Sequence, residues 1–155
     1  MREMRRSDRK LGQEDALRVL KDGEYGILAT ANLQGQPYGV PLSYIVKDNA
    51  IYVHGTNEGS SKYDNILENN KVSFTVVGKT QVLHDTFTTN YESAIAFGEA
   101  AAVEDEEEKL MAYREFIQKY SADYPEAGEK YIEAMGNKTL IIKISITNLT
   151  GKRRK

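Results

Sequence analysis

With 155 residues, 40% hydrophobic and 28% charged, the chain has the size and composition of one compact domain, large enough to bury about 70% of its unfolded surface without disulfides or a structural metal. It has no cysteine, which excludes thiolate nucleophiles, zinc ribbons and iron–sulfur clusters. The formal net charge of −2 covers two basic stretches, MREMRRSDRK and GKRRK, and an acidic block, EDEEEK; the stretches between lack a clustered basic face, which points away from nucleic acid. No apolar run approaches the ~20 residues that span a bilayer, so a cytoplasmic single domain over 1–155 with no membrane partner is expected.

Residues 13–22, QEDALRVLKD, place Ala16, Leu17 and Leu20 on one helical face, with acids near the start and Gly23 beyond the end. From Tyr25 the period changes to two. YGILATANL, PYGVPLSYIV and AIYVHG read as three strands of an antiparallel meander, joined by turns around Gly35 and at 47–49. In the second strand Val40, Leu42, Tyr44 and Val46 share one face, while Gly39, Pro41, Ser43 and Ile45 share the other. Pro37 and Pro41 carry no N–H and fit an edge or a bulge, with exposed backbone near a site.

SKYDNILENN reads as a short helix with Tyr63, Ile66 and Leu67 facing inward and its end at Asn69 and Asn70. Strands resume with KVSFTVVG and a long β-rich tract over 80–105, in which Phe87, Thr89 and Tyr91 alternate with Thr88, Asn90 and Glu92. Residues 105–120 return to helix with Leu110, Tyr113, Ile117 and Tyr120 on one stripe, EAGEKYIEAMG is a further short helix, and KTLIIKISITNLTGK closes with Leu140, Ile142, Ile144 and Ile146 on one side. About six strands with helices only at the periphery imply a mainly β (α+β) antiparallel barrel.

The loop in IYVHGTNEGSSKYDNI, residues 51–66, links a strand to a helix that bears lysine in its first turn. Its spacing is not that of a P-loop: counted from Gly55, that motif needs glycine at Ser60 and lysine at Ser61, and lysine arrives at Lys62. The physics of anion binding survives the failed motif. Helix N–H groups, the hydroxyls of Ser60 and Ser61 and the Lys62 ammonium can converge on a terminal phosphate, and the competing reading is a solvated loop with Ser60 as an ordinary N-cap. His54 ends the third strand beside this loop, where an imidazole could donate to an anionic or carbonyl oxygen. His84, read in a strand, has no partner at ligand spacing except adjacent Asp85 and reads as structural; no metal site is expected. No Ser/His/Asp constellation occupies a strand-to-helix elbow, which disfavours hydrolysis. Ten tyrosines would suit stacking on a planar ligand, although most read as packing.

In order along the chain, MRRSDR (4–9), YGILAT (25–30), PYGVPLSY (37–44), VHGTNEGSSK (53–62), TTNYESAIAFGEA (88–100) and LTGK (149–152) resemble the nitroimidazole-resistance reductase family, a branch of the pyridoxamine 5′-phosphate oxidase-like flavin-binding split barrels. The resemblance implies a six-stranded antiparallel split β-barrel that binds FMN as a homodimer, with the flavin sites at the subunit interface. It implies that Lys62 and Ser61 hold the flavin phosphate, that His54, Gly55 and Thr56 line the same strand end, and that the backbone around Leu42 and Ser43 faces the isoalloxazine. Tyr91 and Ser93 would cover the ring from the second subunit. Where the family often reads HGAxxGxK this chain reads HGTNEGSSK, and neither change removes a donor. The implied activity is reduction of a nitro-aromatic or another small electrophile, with His54 as the catalytic side chain and the protein supplying orientation and electrostatics. The alternatives are a flavin carrier or sensor without turnover, or a split barrel that takes haem or a deazaflavin.

Overall fold

The computed structural model describes residues 3–56 and 59–155. The chain opens with α1 (Gln13–Asp22), whose first turn carries Glu14 and Asp15 against the exposed helix N–H groups and whose Ala16, Val19 and Leu20 are buried. Three short stretches follow as strands β1 (Gly26–Ala31), β2 (Pro37–Leu42) and β3 (Tyr44–Lys47), and then β4 (Ala50–Thr56). Gly35 takes up the β1–β2 turn at φ 79°, and Asp48 and Asn49, both in the left-handed region, form the two-residue β3–β4 turn. After the loop come α2 (Ser61–Glu68), β5 (Lys71–Leu83), β6 (Thr88–Ala102), α3 (Glu106–Tyr120), α4 (Pro125–Met135) and β7 (Thr139–Arg154).

Among the described residues the strands form one seven-stranded antiparallel sheet in the order β2-β1-β5-β6-β7-β4-β3. The expected count was six, and the difference lies in PYGVPLSYIV. Its first half pairs with β1, Gly26 opposite Leu42, while its second half pairs with β4, Tyr44 opposite Val53. The two halves are therefore opposite edges of the sheet, and the chain crosses from one edge to the other at Ser43. That crossing closes the sheet into a split barrel without a hydrogen-bonded ladder between its edges. Pro37 and Pro41 lie on the β2 edge, where a missing N–H costs no ladder bond.

Alternation sorts the side chains between two cores. Leu28, Tyr44, Ile51, Val53, Phe74, Ile142 and Ile144 fill the barrel, closed by α1 through Ala16, Val19 and Leu20. Ile45, Ala50, Tyr52 and Ile141, one residue out of step, point outward and pack beneath α3 against Ala112 and Phe116. Each such aliphatic or aromatic side chain is worth roughly 1.5–3 kcal/mol of burial.

Three expected details differ. In α2 Ile66 is buried and Tyr63 is half-buried, but Leu67 is 68% exposed, because the helix seats itself with Ile66 on the core and Asn65 donating to the buried Thr30 hydroxyl at 3.0 Å. In α3 the buried residues are Ala112 and Phe116, off the expected stripe; of that stripe Tyr113 packs partly against the same core and reaches the Gly136 carbonyl just past α4 at 3.0 Å, and Tyr120 reaches Tyr44. Phe87 is not in a strand. It sits in the β5–β6 turn with φ 53° and is 97% exposed, and His84 lies in the same turn.

Candidate functional site

The strand end that carries His54 is positioned by β7, with His54 opposite Ile141, Gly55 opposite Leu140 and Thr56 opposite Thr139. Asn57 and Glu58 of the following loop lie outside the described residues. Where the chain resumes, Ser60 occupies the N-cap position of α2, and its carbonyl accepts from the Tyr63 and Asp64 N–H groups at 2.9 and 3.0 Å. Its side chain makes no capping bond. Instead the Ser60 hydroxyl accepts from the Lys62 ammonium at 2.9 Å.

That ammonium folds back over β4. A Cβ built on Gly55 would stand 2.9 Å from Lys62 Nζ and 3.1 Å from Cε, so glycine leaves the space in which the lysine head rests. Lys62 has no carboxylate partner within ion-pair distance among the described residues. A half-buried cation beside a helix start, with a hydroxyl attached, is the donor set of a small-anion site. Ser61 lies exposed at the first position of the helix, and Thr56 is exposed at the end of β4.

His54 is on the outward face of β4, in step with Tyr52. Although the residue as a whole is exposed, its ring meets Phe116 edge to face at 4.9 Å and 81°. Desolvation by this packing, with the Lys62 charge as the second cause, pulls the His54 pKa below its ordinary 6.5. The imidazole is therefore neutral at neutral pH, with one nitrogen able to donate and the other to accept.

The ring opens onto a cleft of about 500 Å³ between the strand edge and the two helices, lined by Ser43, His54, Phe116, Tyr120, Tyr124 and Tyr131 among others. The Tyr120 hydroxyl fixes the inner wall. It accepts from the Tyr44 N–H at 2.9 Å and lies within hydrogen-bond distance of the Glu24 and Tyr44 carbonyls, at 2.6 and 2.9 Å. Next to it Lys119 donates to the Tyr44 carbonyl at 2.9 Å with its ammonium 3.8 Å from the Tyr44 ring centre, and burial lowers its pKa from 10.5 to about 8. Both contacts hold the crossing at Ser43 against the end of α3.

The structure thus places Ser43 and His54 on one cleft and seats Lys62 over Gly55 at the end of the same strand, with Thr56 and Ser61 flanking that end. Leu42 is adjacent, but its side chain is half-buried against the barrel core, leaving only its backbone toward the site. Tyr91 and Ser93 are elsewhere. They pair with Arg154 and Lys152 of β7, whereas His54 pairs with Ile141, which separates them by roughly 36 to 43 Å of strand contour at about 3.3 Å per residue. Within one chain they do not meet His54 or Lys62. The aromatic wall of Phe116, Tyr120, Tyr124 and Tyr131 is what sequence reasoning missed, and the only trace of it was the tyrosine content. No group of three or more histidine or carboxylate side chains suited to a metal occurs among the described residues, and no helix among them is long and apolar enough to cross a membrane.

Comparison with known proteins agrees with this architecture. No curated protein sequence matches the chain. Among solved structures, it is similar to a candidate 5-nitroimidazole antibiotic resistance protein from Bacteroides thetaiotaomicron, with TM-score 0.78 and 22% identity over 92% of this chain and 85% of that one. It is also similar to an FAD-binding protein from Mesorhizobium loti, with TM-score 0.67 and 22% identity over 95% of this chain and 98% of that one. An FAD and haem binding protein from Mycobacterium smegmatis gives TM-score 0.70 and 19% identity over 93% and 72%. At these identities the likeness concerns the fold. A family model described as pyridoxamine 5′-phosphate oxidase matches residues 12–153, and with nearly the whole chain covered, the protein belongs to that family.

Proposed function

We propose that the chain is an FMN-binding oxidoreductase that reduces nitro-aromatic or other small electrophilic molecules. The observation that carries this reading is the Lys62 ammonium, seated over Gly55 at the end of the strand that presents His54 to an aromatic-lined cleft. These residues fit the cofactor. One cation, a serine hydroxyl and a helix start suit a terminal monophosphate, and the aromatic walls suit a planar ring system. Bound there, FMN would supply the electron-transfer chemistry.

The chain's own residues do the rest. Lys62 and Ser61 anchor the phosphate, and the backbone at Leu42 and Ser43 borders the ring. The apolar faces of Phe116 and the tyrosines exclude water. The neutral His54 imidazole donates its N–H to a nitro or carbonyl oxygen of the substrate, orienting it and steadying developing negative charge. Tyr91 and Ser93 reach this site only from a second copy, so the reading requires a homodimer with shared sites. Support for the substrate class comes from the resistance protein named above, and support for a flavin from the FAD-binding structures.

A histidine at the mouth of an aromatic cleft also suits haem, and the haem-binding split barrel from Mycobacterium smegmatis gives that second reading its support. The absorption spectrum of the purified protein with and without added FMN separates the two. The expected result is quenching of flavin fluorescence on titration, a light-scattering mass twice the 17.5 kDa chain, and faster loss of a 5-nitroimidazole with anaerobically reduced holoprotein than with free reduced FMN. A sharp haem band, or no flavin quenching, overturns the flavin assignment. Equal rates of nitroimidazole loss leave a flavin carrier instead of an enzyme.

A further inference from the structure

We propose that the end of the His54 cleft that lies against α4 is the seat of the electron acceptor, and that Tyr124 and Tyr131 restrict this seat to flat, neutral aromatic molecules. The inference rests on the flavin reading above and divides the cleft which that reading describes. One end is the strand edge, with Ser43 and His54. The other is α4, with Tyr124, Ala127, Gly128 and Tyr131, and the C-terminal part of α3 lies between them. Lys62 meets Gly55 just beyond His54 on β4, at the strand end and outside the α4 wall. A flavin anchored there leaves the α4 end open to a second molecule.

Local folding builds the α4 end as a slot. Pro125 opens the helix, where its missing N–H costs no hydrogen bond and its fixed φ sets the start. The Tyr124 N–H donates to the Ser121 carbonyl and the Tyr124 carbonyl accepts from the Gly128 N–H, both at 2.9 Å, so this backbone is held from both sides. Tyr131 follows two helical turns later on the same face, about 10 Å along the axis. Between the two tyrosines stand Ala127 and Gly128, with almost no side chain to fill the gap. Gly128 also sets how near α4 comes to α3, since a Cβ there would stand 2.7 Å from Ile117 Cδ1.

The free protein makes no other use of these tyrosines. Tyr124 is 68% and Tyr131 61% exposed, and among the described residues neither ring pairs with another aromatic ring and neither hydroxyl makes a hydrogen bond. Aromatic side chains left bare on a concave surface gain most from a planar ring, where stacking adds to apolar burial and a phenol can donate to a nitro or carbonyl oxygen. No lysine, arginine or carboxylate side chain among the described residues lines the cleft, so a charged acceptor would lose its hydration there without gaining a partner. His54 lines the same cleft, which keeps a ring held against α4 within the space the imidazole faces.

The test combines two measurements on the FMN-loaded protein: calorimetric titration of the oxidised form with a neutral 5-nitroimidazole, and the concentration dependence of reoxidation of the anaerobically reduced form by the same compound. The variants are Ala127→Leu, which fills the slot, and Tyr131→Leu, which removes one wall. Both positions are exposed and leucine is a good helix former, so both variants should fold, which circular dichroism checks. The expected result is a Kd and a half-saturating concentration raised about tenfold in Ala127→Leu and about three- to tenfold in Tyr131→Leu, with the limiting rate and FMN affinity within about twofold of the parent. Lys130→Leu, on α4 but outside the cleft, should change none of these. A carboxymethyl analogue of the nitroimidazole should bind the parent at least about fivefold more weakly. Variants that bind the nitroimidazole like the parent overturn the proposal. FMN affinity falling in step with nitroimidazole affinity places the flavin itself on α4 and overturns it too, and an analogue bound as tightly as the neutral compound overturns the selection against charge. A parent that takes up no FMN is a separate failure: it removes the flavin reading, and this inference with it, before any variant is compared.

Discussion

Replacing Lys62 with methionine tests the anchoring role directly, because methionine keeps an unbranched apolar stem and removes only the charge and its donors. In the free protein the ammonium makes one hydrogen bond, to the Ser60 hydroxyl, and has no ion pair among the described residues. The variant should therefore fold with nearly unchanged stability, within the ~1 kcal/mol that a net hydrogen bond contributes. In the complex, Lys62 would give one or two charge-assisted bonds to phosphate, each worth about 1.5–3 kcal/mol. At 1.4 kcal/mol per tenfold, loss of one such bond weakens FMN about 10- to 150-fold. The assay is paired fluorescence titration with FMN and with riboflavin, which shares the ring and lacks the phosphate. FMN affinity should fall by that factor while riboflavin affinity stays within about twofold. Equal losses for both ligands would show that Lys62 supports the cleft instead of gripping the phosphate; no loss for either would refute the anchoring argument.

Two further outcomes follow from packing and burial. Gly98→Ala should lower the urea midpoint by an amount equivalent to about 1–3 kcal/mol, because the added Cβ would stand 2.3 Å from the Ser145 carbonyl oxygen, a backbone atom of β7 that cannot swing aside; an unchanged midpoint would mean that the β6–β7 register can slip locally. Lys119 has a folded pKa of about 8 against 10.5 ordinarily, so the unfolded chain binds more protons between those values, and the stabilising contribution is complete above 10.5 and lost as pH falls through about 8. Measured across that window, the parent should gain stability with pH relative to Lys119→Met, and parallel curves would show that the ammonium is better hydrated than its contacts imply.

How much of this was legible along the chain depended on whether the information was local. The ends of α1 and α2 could be read because apolar period and terminal residues coincide, and the β1–β2 and β3–β4 turns because Gly35 and Asp48–Asn49 favour left-handed backbone. The split at Ser43 could not. PYGVPLSYIV alternates without interruption, and only its partners, β1 for one half and β4 for the other, reveal that it makes two edges. Phe87 looked like a strand residue by alternation, yet the β5–β6 turn claims it; nothing local marks a bulky residue for positive φ. At the candidate site, the meeting of Gly55 and Lys62 was legible because the short loop between strand and helix brings them together. The aromatic wall was not, since α3 turns Ala112 to the barrel and Tyr120 to the cleft with Phe116 at both, and a single stripe of period 3.6 cannot say which side chain meets which neighbour.

The geometry also links barrel closure to the cleft. The sheet has no ladder where β2 gives way to β3, so the crossing at Ser43 depends on other contacts, and the end of α3 provides them. Tyr120 accepts from the Tyr44 N–H, and Lys119 donates to the Tyr44 carbonyl. Tyr120, together with Ser43 itself, also lines the His54 cleft. A ligand that packs on Tyr120 therefore restrains the same helix end that holds the split shut, and its binding energy adds to the stability of the closed barrel in proportion to occupancy. The coupling runs both ways: loosening the Tyr44–Tyr120 bond frees the cleft wall and so reduces the affinity of whatever the wall supports. A ligand in this cleft would therefore bind where the sheet has no strand pairing to close it.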